Sequence, residues 1–247
     1  MDMPEASRIW TETVFNICYL IVVWWLVIAM IYRRELVDAK DQRVASLIMW
    51  AFFLLGLGDI GHVGFRVVAF SLGGLDAAIG LFGREIKIAP MGALATAITF
   101  TFFYVVLIMI WRERFDKSYG VLGNLLFVLA AVRLIIMALP ANNWNSLQPP
   151  HEWSIIRNIP LMLMQLGSAY LIMRDGLREG DKTFVWMAIM VIVSFICYAP
   201  VIFLQQRVPL IGMLMIPKTI AYLVIAFLGF FKYYRVKPVR TTAGSIA

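Results

Sequence analysis

A chain of 247 residues that is 62% apolar and only 15% charged, with strongly positive mean hydropathy, excludes an ordinary soluble domain and points to an integral membrane protein. Its net charge of +7 is concentrated in the segments between apolar runs, so it reads as topology and contact with anionic lipid, not as a nucleic-acid footprint. Two cysteines and two histidines are too few for a disulfide framework or a multi-histidine metal centre, and no metal or other cofactor is expected.

Crossing the hydrocarbon core takes about 20 mostly apolar residues, and seven stretches qualify: 10–32, 44–72, 91–111, 120–139, 159–173, 183–205 and 209–231. The predicted class is an all-α membrane protein with seven transmembrane helices. Residues 1–9 form a tail, 10–231 a single transmembrane domain and 232–247 a basic tail. The first segment is too long for a cleaved signal, lacks a basic flank before it and runs into Arg33 and Arg34, so it is expected to stay in the protein. Cys18 in this helix and Cys197 in the sixth read as small apolar residues.

The second segment contains GLGDIGHVGFR, residues 56–66. Gly56, Gly58 and Gly61 match G-x-G-x-x-G formally, but a dinucleotide fingerprint needs a strand before the glycines and a helix opening at them. Here they sit inside an apolar helix. Gly58, Gly61 and Gly64 read instead as a smooth strip where a neighbouring helix approaches closely. Spacings of three and four place Asp59, His62 and Arg66 on one helical face.

The connections after the first, third and fifth segments are short and charged, whereas those after the second and fourth are long. The first set, with the carboxyl tail, carries Arg33, Arg34, Lys40, Arg43, Arg112, Arg114, Lys117, Arg174, Arg178, Lys182, Lys232, Arg235, Lys237 and Arg240. The opposite set carries Arg8, Arg84, Lys87, Arg157 and Arg207. Fourteen against five predicts the amino terminus outside and the carboxyl terminus in the cytoplasm. Trp10, Trp144 and Trp153 suit the outer headgroup level. Pro160, Pro200 and Pro217 fall in the last three helices, where each removes a helical hydrogen bond. The long second outer connection, with His151, Glu152 and Arg157, is expected to act as a lid.

An ionisable side chain within a span costs roughly 2.5–3.5 kcal/mol at mid-membrane and is a site hypothesis by default. Arg133 in the fourth helix and Lys218 in the seventh join Asp59, His62 and Arg66, while Gln165, Tyr198 and Tyr222 reach similar depths. All lie in the outer halves of their helices, which describes a cup open to the outside. Arg66, Arg133 and Lys218 against Asp59 leave two positive charges uncompensated. Two completions follow. Glu12 and Glu152 fold in and close a salt-bridge network, or an anion does so from outside, held by arginine forks and the Lys218 point charge.

Other chemistries fit less of the pattern. A seven-helix zinc hydrolase such as the alkaline ceramidases uses three histidines, and only His62 and His151 exist here. An Asp59–His62 pair could perform metal-free acid–base chemistry on a lipid or lipid-linked substrate. Lys218 in a seventh helix, with the amino terminus outside, resembles the microbial rhodopsins, which implies retinal held as a Schiff base. Leu214 stands where those proteins carry an aspartate, and the third helix has no carboxylate counterion. Turn chemistry shared by residues 34–41 and 174–181 resembles the parallel-repeat layout of SWEET-type sugar transporters, but the first two helices lack the proline that layout carries. Met162, Met164, Met213 and Met215 read as gap-fillers.

The reading is therefore a multi-pass plasma-membrane protein whose outward-facing, net-positive pocket binds a small or amphipathic anion as receptor or transporter. Its ligand-binding residues are Asp59, His62, Arg66, Arg133, His151, Glu152, Arg157, Gln165, Tyr198, Lys218 and Tyr222. A lipid-directed enzyme using Asp59 and His62 is the alternative, and a rhodopsin-like pigment the third. The expected partners are the bilayer and an anionic or lipid ligand, with no nucleic acid; a homo-oligomer is compatible with this reading.

Overall fold

The computed structural model describes residues 5–81 and 83–235, with the backbone alone described at residues 5–13 and 209. Seven α-helices, each long and apolar enough to cross a membrane, make up the body. They are α1 (Glu5–Tyr32), α2 (Gln42–Ser71), α3 (Ile88–Phe115), α4 (Gly120–Ala138), α5 (His151–Arg178), α6 (Lys182–Leu204) and α7 (Met215–Tyr233). The shortest, α4 and α7, have 19 residues. At 1.5 Å per residue that is about 28 Å, close to the thickness of a hydrocarbon core. Sequential helices neighbour one another, and α1 closes the ring against α7. One end of the bundle carries the short turns after α1, α3 and α5 (the turn end); the other carries the long connections (the hairpin end).

The closest pairing, α2 on α3, follows from glycine. A Cβ built at Gly92 would lie 2.8 Å from the carbonyl oxygen of Gly61 and 2.9 Å from the Cα of His62, so the two backbones touch there. Gly58 faces Thr99 and the Thr96 backbone, and the Thr96 hydroxyl donates to the Gly58 carbonyl at 2.8 Å. Gly64 departs from the expected strip, since nothing lies within 4 Å of its Cβ position. The packing strip thus stops at Gly61, more than one turn before the helix reaches Arg66.

Helix α5 is much longer than the 159–173 run that hydropathy predicts. Its additional turns contain Arg157, Asn158 and Asp175, all buried against other helices, so a low mean hydropathy hides a span that turns its polar groups inward. The expected lid is consequently shorter: His151 to Arg157 are helical, and Glu152 stands exposed in the first turn of α5. What precedes it is anchored. Asn145 accepts from the Lys87 amide at 2.7 Å and donates to the Glu85 carbonyl at 2.9 Å, and Trp144 donates to the Met137 carbonyl at 2.7 Å.

Glu85 and Lys87 belong to a two-stranded antiparallel hairpin, β1 (Ala78–Leu81) with β2 (Arg84–Lys87), which the helical reading of the sequence does not anticipate. Leu81 pairs with Arg84, leaving a two-residue turn whose Gly83 adopts φ +74°, a conformation open to glycine. Pro217 also behaves differently from expectation. Regular α7 begins at Met215, so the proline occupies the first turn, where its missing N–H leaves no bond unmade. Residues 209–214 form a 3-10 stretch instead.

The turn end is closed by charge. Asp181, at the N-terminus of α6, accepts from Arg114 of α3 (2.9 Å) and Lys232 of α7 (2.6 Å) and caps the Phe184 amide. Lys232, expected in a basic tail, is thus part of α7. Asp175 is bound by Arg174 (2.6 Å) and by the Trp111 indole (2.9 Å). Burial works against the charge of Asp181, and the Lys232 and Arg114 contacts more than offset it, holding its carboxyl below the ordinary value.

Candidate functional site

A cavity of about 600 Å³ occupies the hairpin-end half of the bundle, within the size range of small-molecule sites. All seven helices contribute to its wall. Of the sequence-predicted residues, Asp59, His62, Arg66, Arg133, Arg157, Tyr198, Lys218 and Tyr222 line it; His151, Glu152 and Gln165 do not. Gln165 lies beneath the floor, donating to Tyr104 (2.8 Å) and Tyr222 (3.1 Å), whose hydroxyls also bond each other. His151 and Glu152 sit at the start of α5, and Glu152 makes no ion pair among the described residues. Closure by Glu152 is therefore not what the structure contains, and the Glu12 side chain lies outside the described residues.

The face of α2 behaves as its spacing predicts. Asp59, His62 and Arg66 all reach the cavity, and seven residues at 1.5 Å per residue set Asp59 and Arg66 about 10 Å apart along the helix. Asp59 does not hold His62. Its carboxylate accepts instead from the Tyr19 hydroxyl of α1 at 2.8 Å. Tyr19 is a site residue that the sequence reading passes over; a phenol within the first apolar run was its signal.

Arg133, 2% exposed, is held by neutral acceptors alone. Its guanidinium donates to the Arg157 carbonyl (3.1 Å), the Ala97 carbonyl (3.2 Å), the Thr101 hydroxyl (2.6 Å) and the Asn158 amide oxygen (3.3 Å). Arg157 donates to Asn142 (3.3 Å) and Ser154 (2.7 Å) and lies 4.5 Å from the Trp144 ring centre. Cation–π contact and neutral acceptors spread these charges without cancelling them. Asn142 and Asn158, both buried, were not singled out by sequence because an amide carries no charge to flag it.

Lys218 is buried in an aromatic cage, its Nζ 4.5 Å from the Tyr198 ring centre and 4.6 Å from that of Phe100. Among the described residues neither Lys218 nor Arg66 has a hydrogen bond or ion pair; both lie within electrostatic reach of His62, and Lys218 within that of Asp59 as well. Among the described residues the lining sets Arg66, Arg133, Arg157 and Lys218 against one carboxylate, Asp59. Among the described residues no three His, Cys, Asp or Glu side chains converge as a metal centre.

Comparison with known proteins finds no matching family model, no similar curated protein and no similar solved structure. The site's own geometry therefore carries the functional argument.

Proposed function

We propose that this seven-helix protein spans the plasma membrane with its hairpin end outside and binds an anionic ligand in the cavity, as a receptor or transporter. The observation that supports this reading is the pair Arg66 and Lys218, which face the cavity without hydrogen-bond or ion-pair partners among the described residues. Two cations sharing a low-dielectric space repel each other, and an anion between them converts that cost into charge-assisted hydrogen bonds. Arg133 and Arg157 stand behind them as a fixed positive field, since their donors are engaged with the protein.

The test is thermal unfolding of the purified protein in neutral detergent with inorganic phosphate, dodecanoate or octyl phosphate. At least one probe should stabilise the wild type, by about 2.7 kcal/mol at a hundredfold excess over its Kd. Replacing both Arg66→Gln and Lys218→Met should remove the response. A wild type indifferent to all three probes contradicts the proposal.

One observation supports a second reading. His62 has no hydrogen bond among the described residues and stands one turn from a carboxylate already oriented by Tyr19, the arrangement an acid–base pair needs before substrate arrives. Under that reading the bound ligand is turned over. Hydrolysis of a phospholipid mixture by wild type, lost in His62→Ala, would establish it; an unchanged mixture would dismiss it.

A further inference from the structure

A cavity that takes an anion has no use for a fixed negative charge, yet Asp59 lines this one from the same face of α2 as His62 and Arg66. Like charges in a low-dielectric space repel, so an ionised Asp59 opposes the ligand that the cations attract. Two ordinary roles for such a group do not fit its contacts. It does not orient His62, and it is no counterion in direct contact with a cation. Among the described residues its hydrogen bond comes from the neutral Tyr19 hydroxyl, whereas Asp175 and Asp181 at the turn end are gripped by arginine and lysine.

Those contacts do allow a change of charge. The Tyr19 hydroxyl donates to Oδ2 of Asp59 at 2.8 Å, and a carboxylic acid protonated on its other oxygen still presents that acceptor. The tie between α1 and α2 therefore survives loss of the charge, and no ion pair has to break. Around Asp59 stand Tyr19 of α1, His62 and Arg66 of its own helix, and Lys218 and Tyr222 of α7. Arg133, Arg157 and Tyr198 line the same cavity from α4, α5 and α6, while α3 contributes no titratable group to the lining. Lys218 lies within electrostatic reach of Asp59, so carboxylate and ligand draw on the same cation. Neutral Asp59 leaves Lys218 to the ligand.

We infer that Asp59 is a proton-binding site linked to the anion site, so that the ligand binds together with a proton taken up by this carboxyl group. The inference rests on the anion-binding reading and adds the proton. Linkage fixes the sign: the protonated protein binds the anion more tightly, and the bound anion favours the proton by the same factor. Affinity therefore rises as the pH falls, and levels off once the free protein is itself protonated at Asp59. A transporter of this kind carries anion and proton together; a receptor responds more strongly in acid.

The experiment measures binding of inorganic sulfate and octyl sulfate, whose charge is constant between pH 5 and pH 7, to the full chain in neutral detergent. Calorimetry in buffers of different ionisation enthalpy counts the protons. For at least one probe the wild type should bind at least about fivefold tighter at pH 5 than at pH 7, with net proton uptake. Asp59→Asn is uncharged at every pH and keeps an acceptor for Tyr19. It should bind at pH 7 as tightly as the wild type does at pH 5, a gain that misfolding does not produce. His62→Gln should retain the pH dependence. Equal wild-type affinity at both pH values without proton uptake overturns the proton site and leaves the anion site standing. Dependence that survives in Asp59→Asn assigns the proton to another group and also overturns the inference. Where Asp59→Asn does not fold, His62→Gln decides: loss of the dependence there assigns the proton to the imidazole and overturns it. Failure of both probes to bind at either pH overturns both readings.

Discussion

The two ends of this bundle treat charge in opposite ways. At the turn end each buried carboxylate is consumed by cations of its own chain: Asp181 by Arg114 and Lys232, Asp175 by Arg174. At the hairpin end, among the described residues, four cations face one carboxylate, and Arg133 and Arg157 are satisfied by carbonyls, amides and hydroxyls. A neutral acceptor orients a guanidinium without neutralising it. The first arrangement locks helices together; the second keeps positive potential available in the cavity.

That contrast is best broken first at the turn end. Asp181→Leu should destabilise the protein by about 3–5 kcal/mol in detergent unfolding, because it leaves Lys232 and Arg114 facing each other inside the bundle. Its carboxyl sits below the ordinary value, so its stabilising contribution is complete above about pH 4. It is lost as the pH falls through the lower folded value. Wild type should therefore lose unfolding temperature in that acid window, and Asp181→Asn should show a flatter profile there.

Next in size is the α2–α3 contact that sets the cavity's polar face. Gly92→Ala should cost about 1–3 kcal/mol, since its Cβ meets backbone that cannot rotate away. Gly64→Ala, with open space at the same helix pair, should be neutral or gain up to about 1 kcal/mol from helix propensity. Similar losses for both would show that the contact is softer than its distances suggest. Trp111→Phe removes one donor to Asp175 but leaves Arg174, so a loss of about 1.5 kcal/mol is expected.

The smallest effect has the opposite sign and sharpens the comparison most. Lys218→Met should leave the unliganded protein unharmed or about 1 kcal/mol more stable, because a caged cation with no ion-pair partner among the described residues, attracted to Asp59 only at longer range, is exchanged for an apolar side chain of similar length. The same variant should lose the stabilisation by anions. A large loss of stability in the absence of ligand would mean that Lys218 is a structural group like Lys232.

Much of this was legible in the residues. Seven apolar runs give seven helices, and the spacing of Asp59, His62 and Arg66 puts all three in one cavity with Lys218 and Arg133. Hydropathy failed where a helix turns polar groups inward, which is why α5 reads too short and its first turns read as a lid. Tyr19, Asn142 and Asn158 escaped because neutral polar residues acquire a role only from the neighbour that tertiary packing brings. The hairpin escaped because four residues per strand carry too little period-two signal beside a helix pattern of thirty. Pro217 misled for a similar reason, since its effect depends on where α7 starts and not on its being there.

The proposed source of the negative charge that balances the cavity's cations lies outside the protein. Native mass spectrometry of the chain purified in neutral detergent tests it most directly, with and without added octyl phosphate. A one-to-one anionic adduct is expected on the wild type and should be absent from the Arg66→Gln, Lys218→Met double variant. Bare protein mass in both, even with the amphiphile in excess, would contradict it.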